Sequence, residues 1–195
     1  MLPVLVDWGE SDRARGGRCG TIASPPDAHR GGFGDASPGV LGPTLHFIWS
    51  VPAGVNRRVA HAKQRDPAIS KTAADVIVPF ERFRDMMAEC RRLFESRGLD
   101  LAVWGHISDG NVHPNVIPRS AEDVRAGREA ILELGARVIE MGGSPLAEHG
   151  VGRNPTKQDL LRLLHGSSGI EGMRAIKSSL DPQLTLANGV MFPAQ

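Results

Sequence analysis

The stretch GHISDGNVHPN, residues 105–115, decides the fold. Asp109-Gly110 is a two-residue hairpin signal, because a type I′ turn needs positive φ at both central positions. With that turn, Ser108 faces Asn111, Ile107 faces Val112 and His106 faces His113. Leu101–Ile107 and Val112–Ile117 are then antiparallel strands. The two imidazoles fall on one sheet face with Cβ atoms roughly 5 Å apart, and Asn115 shares that face.

Working outward from the hairpin, regular elements lie on both sides. Asp75-Val-Ile-Val-Pro79 reads as a short strand. Residues 80–97 read as a helix, with Phe80, Phe83, Met86, Met87, Cys90, Leu93 and Phe94 at helical spacing and Gly98 as its stop. Beyond the hairpin, Ser120 caps a long helix with Asp123 as capping-box partner and a stripe of Val124, Ile131, Leu134, Val138 and Met141. Gly142-Gly143 ends it. SPLAE, residues 144–148, reads as a short buried fourth strand. Asn154-Pro155 opens a further helix that stops at Gly166, and Ser168 with Glu171 opens a last one that stops before Asp181-Pro182. The order β-α-β-β-α-β followed by two helices predicts an α+β domain: a ferredoxin-like antiparallel sheet with helices on one face.

Residues 8–45 differ in kind. They are dense in Gly, Pro, Ser and Asp, with GGRCG and ASPPDAHRGGFGDASPG and little apolar periodicity. Such a composition buries too little surface to offset its ordering entropy. Its glycines follow no strand and open no helix, so no phosphate-binding loop is read there. The chain is therefore expected to divide into an irregular or disordered segment, 1–46, and a folded domain, 47–195.

Composition narrows the function. The 195 residues carry a net charge of +1, which offers no basic footprint for nucleic acid. The longest apolar runs fall short of the roughly 18 residues a transmembrane helix needs. Residues 1–6 are apolar, but Asp7, Glu10 and Asp12 follow too soon for a signal peptide, so a cytoplasmic location is expected. Cys19 and Cys90 make no disulfide framework, and Cys90 falls on the apolar face of a helix as a structural thiol.

Chemistry concentrates at the hairpin and at Glu148-His149. Two opposed imidazoles suit a divalent metal bound through neutral nitrogens, and a carboxylate would complete the set. Gly150 and Gly152 permit a tight turn that aims Glu148 and His149 at one place. The same residues also fit a plainer arrangement, with hydrogen-bonded histidines, a capping or ion-pairing Glu148 and a merely packed His149. His29, His46, His61 and His165 have no such company and read as structural or solvated.

GHISDGNVHPN, PLAEHGVG (145–152) and AIKSSLDPQLTLANGVMF (175–192) resemble, in this order, the C-terminal domain of FAD-linked oxidases. That family includes D-lactate dehydrogenase, the glycolate oxidase catalytic subunit and D-2-hydroxyglutarate dehydrogenase. VPAGVNRRVAHA (51–62) and ISKTAADVIVPFERF (69–83) extend the likeness. The resemblance implies an FAD-dependent oxidoreductase acting on the CH–OH of a 2-hydroxy acid. It implies that His106, His113 and Glu148 hold a divalent metal, zinc or manganese. By the same likeness His149 is the base that takes the hydroxyl proton, Lys71 and Asn115 contact the substrate carboxylate, and Asn111 lies close to the flavin. A metal makes a hydroxyl more acidic, and an imidazole ordinarily exchanges protons near neutral pH.

Three departures stand out. The family's FAD-binding domain would need about 200 residues before this region, and the residues that precede it here look unlike it. An Arg expected just before Val51 is replaced by Phe47-Ile48-Trp49-Ser50, and the family's Asn-Pro-Gly by Leu186-Ala187-Asn188-Gly189. The expectation is a truncated chain whose FAD is largely held by a missing domain or a separate subunit. A non-catalytic remnant and a metal-dependent hydrolase using the same three ligands are the alternatives.

Overall fold

The computed structural model describes residues 4–8 and 43–193, with side chains from Gly54 onward. Nine elements follow in order: β1 (Val4–Trp8), α1 (Pro43–Arg65), β2 (Thr72–Ala73), β3 (Val76–Ile77), α2 (Phe83–Glu95), β4 (Leu101–His106), β5 (Asn111–Val116), α3 (Ala121–Glu140) and α4 (Pro155–Leu180). The antiparallel sheet runs β1-β4-β5-β2, and β3 also pairs with β5. This is the α+β class that the sequence predicts. Within the segment expected to be irregular, Val4–Trp8 is a strand beside β4, and α1 starts at Pro43, ahead of the expected boundary at 46. The rest of that segment lies outside the described residues.

Period-2 alternation sorts the sheet into two faces. Val76, Val78, Leu101, Val103, Val112 and Val116 point to one face and are buried. There they meet Met86, Cys90, Leu93 and Phe94 of α2 and Ala130, Ile131, Leu134 and Val138 of α3 in one continuous core. The other face carries Asp75, Ala102, Trp104, His106, Asn111, His113 and Asn115, all at the alternate positions. An unforeseen helix covers part of that face: α1 presents Val55 and Val59 to Ala102, Trp104 and Ile117.

Local signals place most boundaries. Ser120 Oγ accepts from Asp123 N at 3.1 Å, and Asp123 Oδ2 reaches back to Arg119 N at 2.8 Å, one residue short of a reciprocal capping box. Asn154 Oδ1 caps α4 through Lys157 N, with Pro155 at the first turn. The two helices expected on either side of Gly166 form one run, broken where Gly166 leaves helical geometry at φ 68° and ψ 177°. Two expectations are corrected. Phe80 belongs to a short 3-10 turn before α2, is exposed and stacks on Phe83 instead of joining the core. Residues 144–148 form two single bridges along β3, Ile77 to Ser144 and Asp75 to Leu146, and no full strand.

Candidate metal centre

The hairpin differs from the two-residue turn in one respect. Ile107–Asp109 is a 3-10 turn, and Gly110 alone takes the left-handed conformation at φ 74°. Gly110 is held from outside the hairpin: its carbonyl accepts from Val78 N at 3.1 Å, and a Cβ there would collide with Val78 O. This contact to the chain beyond β3 selects a four-residue connection over the local I′ preference. The register moves by two, so His106 pairs with Asn111 and Trp104 with His113. A shift of two preserves the face. His106 and His113 therefore still share it, as diagonal neighbours with ring centroids 6.2 Å apart and perpendicular.

β2 and β3 pair with β5 in a single register, Thr72 with Val116 and Val76 with Val112. That register sets Asp75 opposite His113. The ladder is interrupted here because Pro114 accepts from Ala74 N at 2.8 Å but has no N–H to return. Chain 144–147 then runs along the outer edge of β3, with Ser144 and Ile77 exchanging backbone bonds of 2.8 and 2.9 Å. Gly143 allows this approach, since a Cβ would strike Ile77 O. The segment delivers Glu148 and His149 over the face that holds the other two histidines.

Three imidazoles converge on one carboxylate oxygen. Glu148 Oε1 lies 3.0 Å from His113 Nε2, 3.4 Å from His149 Nε2 and 3.7 Å from His106 Nε2. Donors bound about 2.0–2.1 Å from a tetrahedral zinc stand about 3.3 Å from one another, a spacing that His113 Nε2 and His149 Nε2 approach around Glu148 Oε1 while His106 Nε2 stands further off. The His106 and His113 Nδ1 atoms are buried without a full hydrogen bond. Asp75, His113, Glu148 and His149 each offer a ligand atom within 4.8 Å of the others. His113 is nearly closed off at 6% side-chain exposure, whereas His106, Glu148 and His149 open to solvent at 39, 45 and 53%.

Asp75, which the sequence reading treats only as a strand residue, is the hub behind these groups and is 2% exposed. Its Oδ2 accepts from the backbone N–H of Glu148 at 2.9 Å and of His149 at 2.7 Å, and its Oδ1 from Asn111 Nδ2 at 3.2 Å. Burial works to raise its pKa. The contact with His113, the His149 N–H, the Asn111 amide and the Glu148 N–H together outweigh burial and hold the carboxyl well below the usual carboxylate range. His113 Nδ1 stands 3.2 Å from Oδ1, close but without the linear geometry of a full hydrogen bond.

The remaining expected residues are near by. Asn111 is buried and commits its amide to Asp75 and to Val76 O, leaving Oδ1 unpaired. Asn115 is buried beside His113, donates to its carbonyl at 2.7 Å and also leaves Oδ1 unpaired. Lys71 is exposed, two residues before Ala73, whose register partner is Asn115. His61 and His165 are exposed and belong to other elements.

A half-open cluster of three imidazoles and a carboxylate lies on the sheet of this α+β domain, backed by a buried acid. Residues 56–191 match the family model of the C-terminal domain of FAD linked oxidases, and the chain belongs to that family. It is similar to glycolate oxidase subunit GlcD of Bacillus subtilis, 30% identical over 120 residues that make up 60% of this chain and 25% of that protein. It is likewise similar to a probable mitochondrial D-lactate dehydrogenase of Danio rerio, 31% over 119 residues, 60% and 24%. D-2-hydroxyglutarate dehydrogenase of Stutzerimonas stutzeri matches at 31% over 156 residues, 77% and 31%. The match thus spans about a quarter to a third of the length of these relatives. Among the described residues no helix is long and apolar enough to cross a membrane.

Proposed function

We propose that this chain supplies the metal- and substrate-binding face of an FAD-dependent 2-hydroxyacid dehydrogenase, with the flavin held largely by a separate domain or subunit. The observation that carries this reading is the convergence of His106, His113 and His149 on Glu148 Oε1 at an open face of the sheet. In this reading His106, His113 and Glu148 are the ligands of a zinc or manganese ion. His149, the most exposed of the four, is the base, positioned to take the hydroxyl proton on Nε2. Asn115 and Lys71 flank the site along β5 and β2 and receive the substrate carboxylate. Asn111 stands at the turn end of β5, where the flavin would approach. When bound, the metal would make the hydroxyl more acidic and the flavin would accept the hydride.

The test is metal-dependent binding of hydroxy acid. With the chain loaded with Mn2+, adding D-lactate, glycolate or D-2-hydroxyglutarate should perturb the manganese electron paramagnetic resonance spectrum. Asn115→Ala and Lys71→Ala should weaken the response. A spectrum unchanged by every one of these acids at saturating concentration would refute the reading.

A further inference from the structure

Asp75 takes no part in the chemistry proposed above, yet it is the most buried acidic group at the site and touches more of it than any ligand does. Its two oxygens divide the work. Oδ1 faces His113 Nδ1 at 3.2 Å and Oδ2 faces His149 Nδ1 at 3.5 Å. The two rings lie 4.4 Å apart and tilted by 32°, nearly side by side. Both turn the opposite nitrogen, Nε2, to Glu148.

We propose that Asp75 is the positioning residue of this site: one carboxylate holds both His113 and His149 with Nδ1–H inward and Nε2 bare and outward, while fixing the Glu148–His149 backbone that closes the cluster. The inference rests on the proposed function for what the two bare nitrogens do, one binding metal and the other taking a proton. An imidazole can hold a metal or accept a proton only at a nitrogen that carries no hydrogen, and the partner of the other nitrogen selects which one that is.

Two rival arrangements are weaker. Asp75 could itself be a ligand, but both its oxygens already accept N–H groups, at 2.7, 2.9 and 3.2 Å. A metal on Oδ2 would orphan two backbone donors in a buried place, and one on Oδ1 would displace the Asn111 amide and face His113 Nδ1. Alternatively Glu148 could draw the proton to Nε2. Glu148 Oε1 stands nearer to His113 Nε2, at 3.0 Å, than Asp75 Oδ1 does to Nδ1, at 3.2 Å, but Glu148 is half exposed and Asp75 is buried, and electrostatic attraction is stronger where water is excluded. The buried acid therefore wins the proton.

The measurement is long-range 1H–15N NMR of the full chain, metal-free and at alkaline pH, where each ring nitrogen reports whether it carries hydrogen. His113 and His149 should both show Nδ1–H and a bare Nε2. A hydrogen on Nε2 of either ring overturns the proposal. A second arm measures Zn2+ affinity of Asp75→Asn by calorimetry, under conditions where circular dichroism shows it folded. Losing the carboxylate that orients a ligating imidazole lowers metal affinity about 10–100-fold. An unchanged affinity in the folded variant, or complete loss equal to that of His113→Ala, overturns it as well. Should Asp75→Asn fail to fold, the tautomers of the unmodified chain decide alone. Failure of the metal reading looks different: the unmodified chain would then bind no Zn2+, whatever its tautomers.

Discussion

Asp75 and His113 face each other across the β3–β5 side of the sheet, with Oδ1 and Nδ1 3.2 Å apart, next to the Ala74–Pro114 rung where the proline interrupts the ladder. The interruption and the contact belong together. A missing N–H at residue 114 leaves β2 and β3 as two short pieces, and Asp75 between them turns its side chain to side-chain and backbone donors of the site. The geometry of the cluster is thus built on the same rows of residues that pair the strands.

The turn that presents His113 should be intolerant of a side chain. Gly110 combines φ 74° with a Cβ position that would meet Val78 O. Gly110→Ala should destabilise the chain by about 1–3 kcal/mol or more, from left-handed strain together with the steric clash. Urea unfolding measures it. A loss below about 0.5 kcal/mol, within the range of ordinary surface changes, would show that the contact with Val78 does not fix the turn.

Acid should loosen the C-terminal tail through Asp181. Its carboxyl accepts from Lys177 Nζ at 2.9 Å, from the Leu186 and Thr185 N–H groups at 3.0 Å each, and from Thr185 Oγ1 at 3.1 Å. Lys177 leads in holding its pKa down, at about 2 against an ordinary 3.8. The folded value lies below the unfolded one. Its contribution is therefore full above about pH 4 and fades as pH falls toward 2. Between those values Tm of the unmodified chain should drop more steeply than that of Asp181→Asn. Parallel slopes would contradict the assignment.

Cys90 should be inert in the folded chain. It lies fully inside the core beside Met86 and Phe94, and burial pushes its thiol up to about 12. At pH 8 iodoacetamide should leave the peptide that contains Cys90 unmodified until urea unfolds the protein. Mass spectrometry reads this directly. Equal alkylation with and without urea would place the thiol outside the core.

The pattern of these residues explains what the sequence makes legible. The α2 and α3 stripes, the Ser120 and Asn154 caps and the breaks at Gly98, Gly142 and Gly166 are local signals with local causes, and they stand in the fold. The shared face of His106 and His113 is also legible, because period 2 survives a register shift of two. The register itself is not: the Gly110–Val78 contact that sets it lies outside the hairpin. Asp75 escapes for a similar reason. An Asp heading an apolar run reads as a strand start until the β3–β5 register sets it opposite His113. Helix α1 does carry a signal in Val55, Val59 and Ala62 at helical spacing, in a stretch read only for its family likeness.

In the proposed division of roles, His106, His113 and Glu148 bind a divalent ion while His149 stays free for proton transfer. Thermal melting with increasing Zn2+ or Mn2+ tests it most directly, since an ion that binds only the folded chain raises Tm as its concentration grows. The unmodified chain should show that rise. His106→Ala and His113→Ala should each lose most of it, because two remaining protein ligands hold a divalent ion poorly, and His149→Ala should keep nearly all of it. Equal losses from His149→Ala and His106→Ala would contradict the division of roles, and a Tm indifferent to metal in the unmodified chain would contradict the site itself.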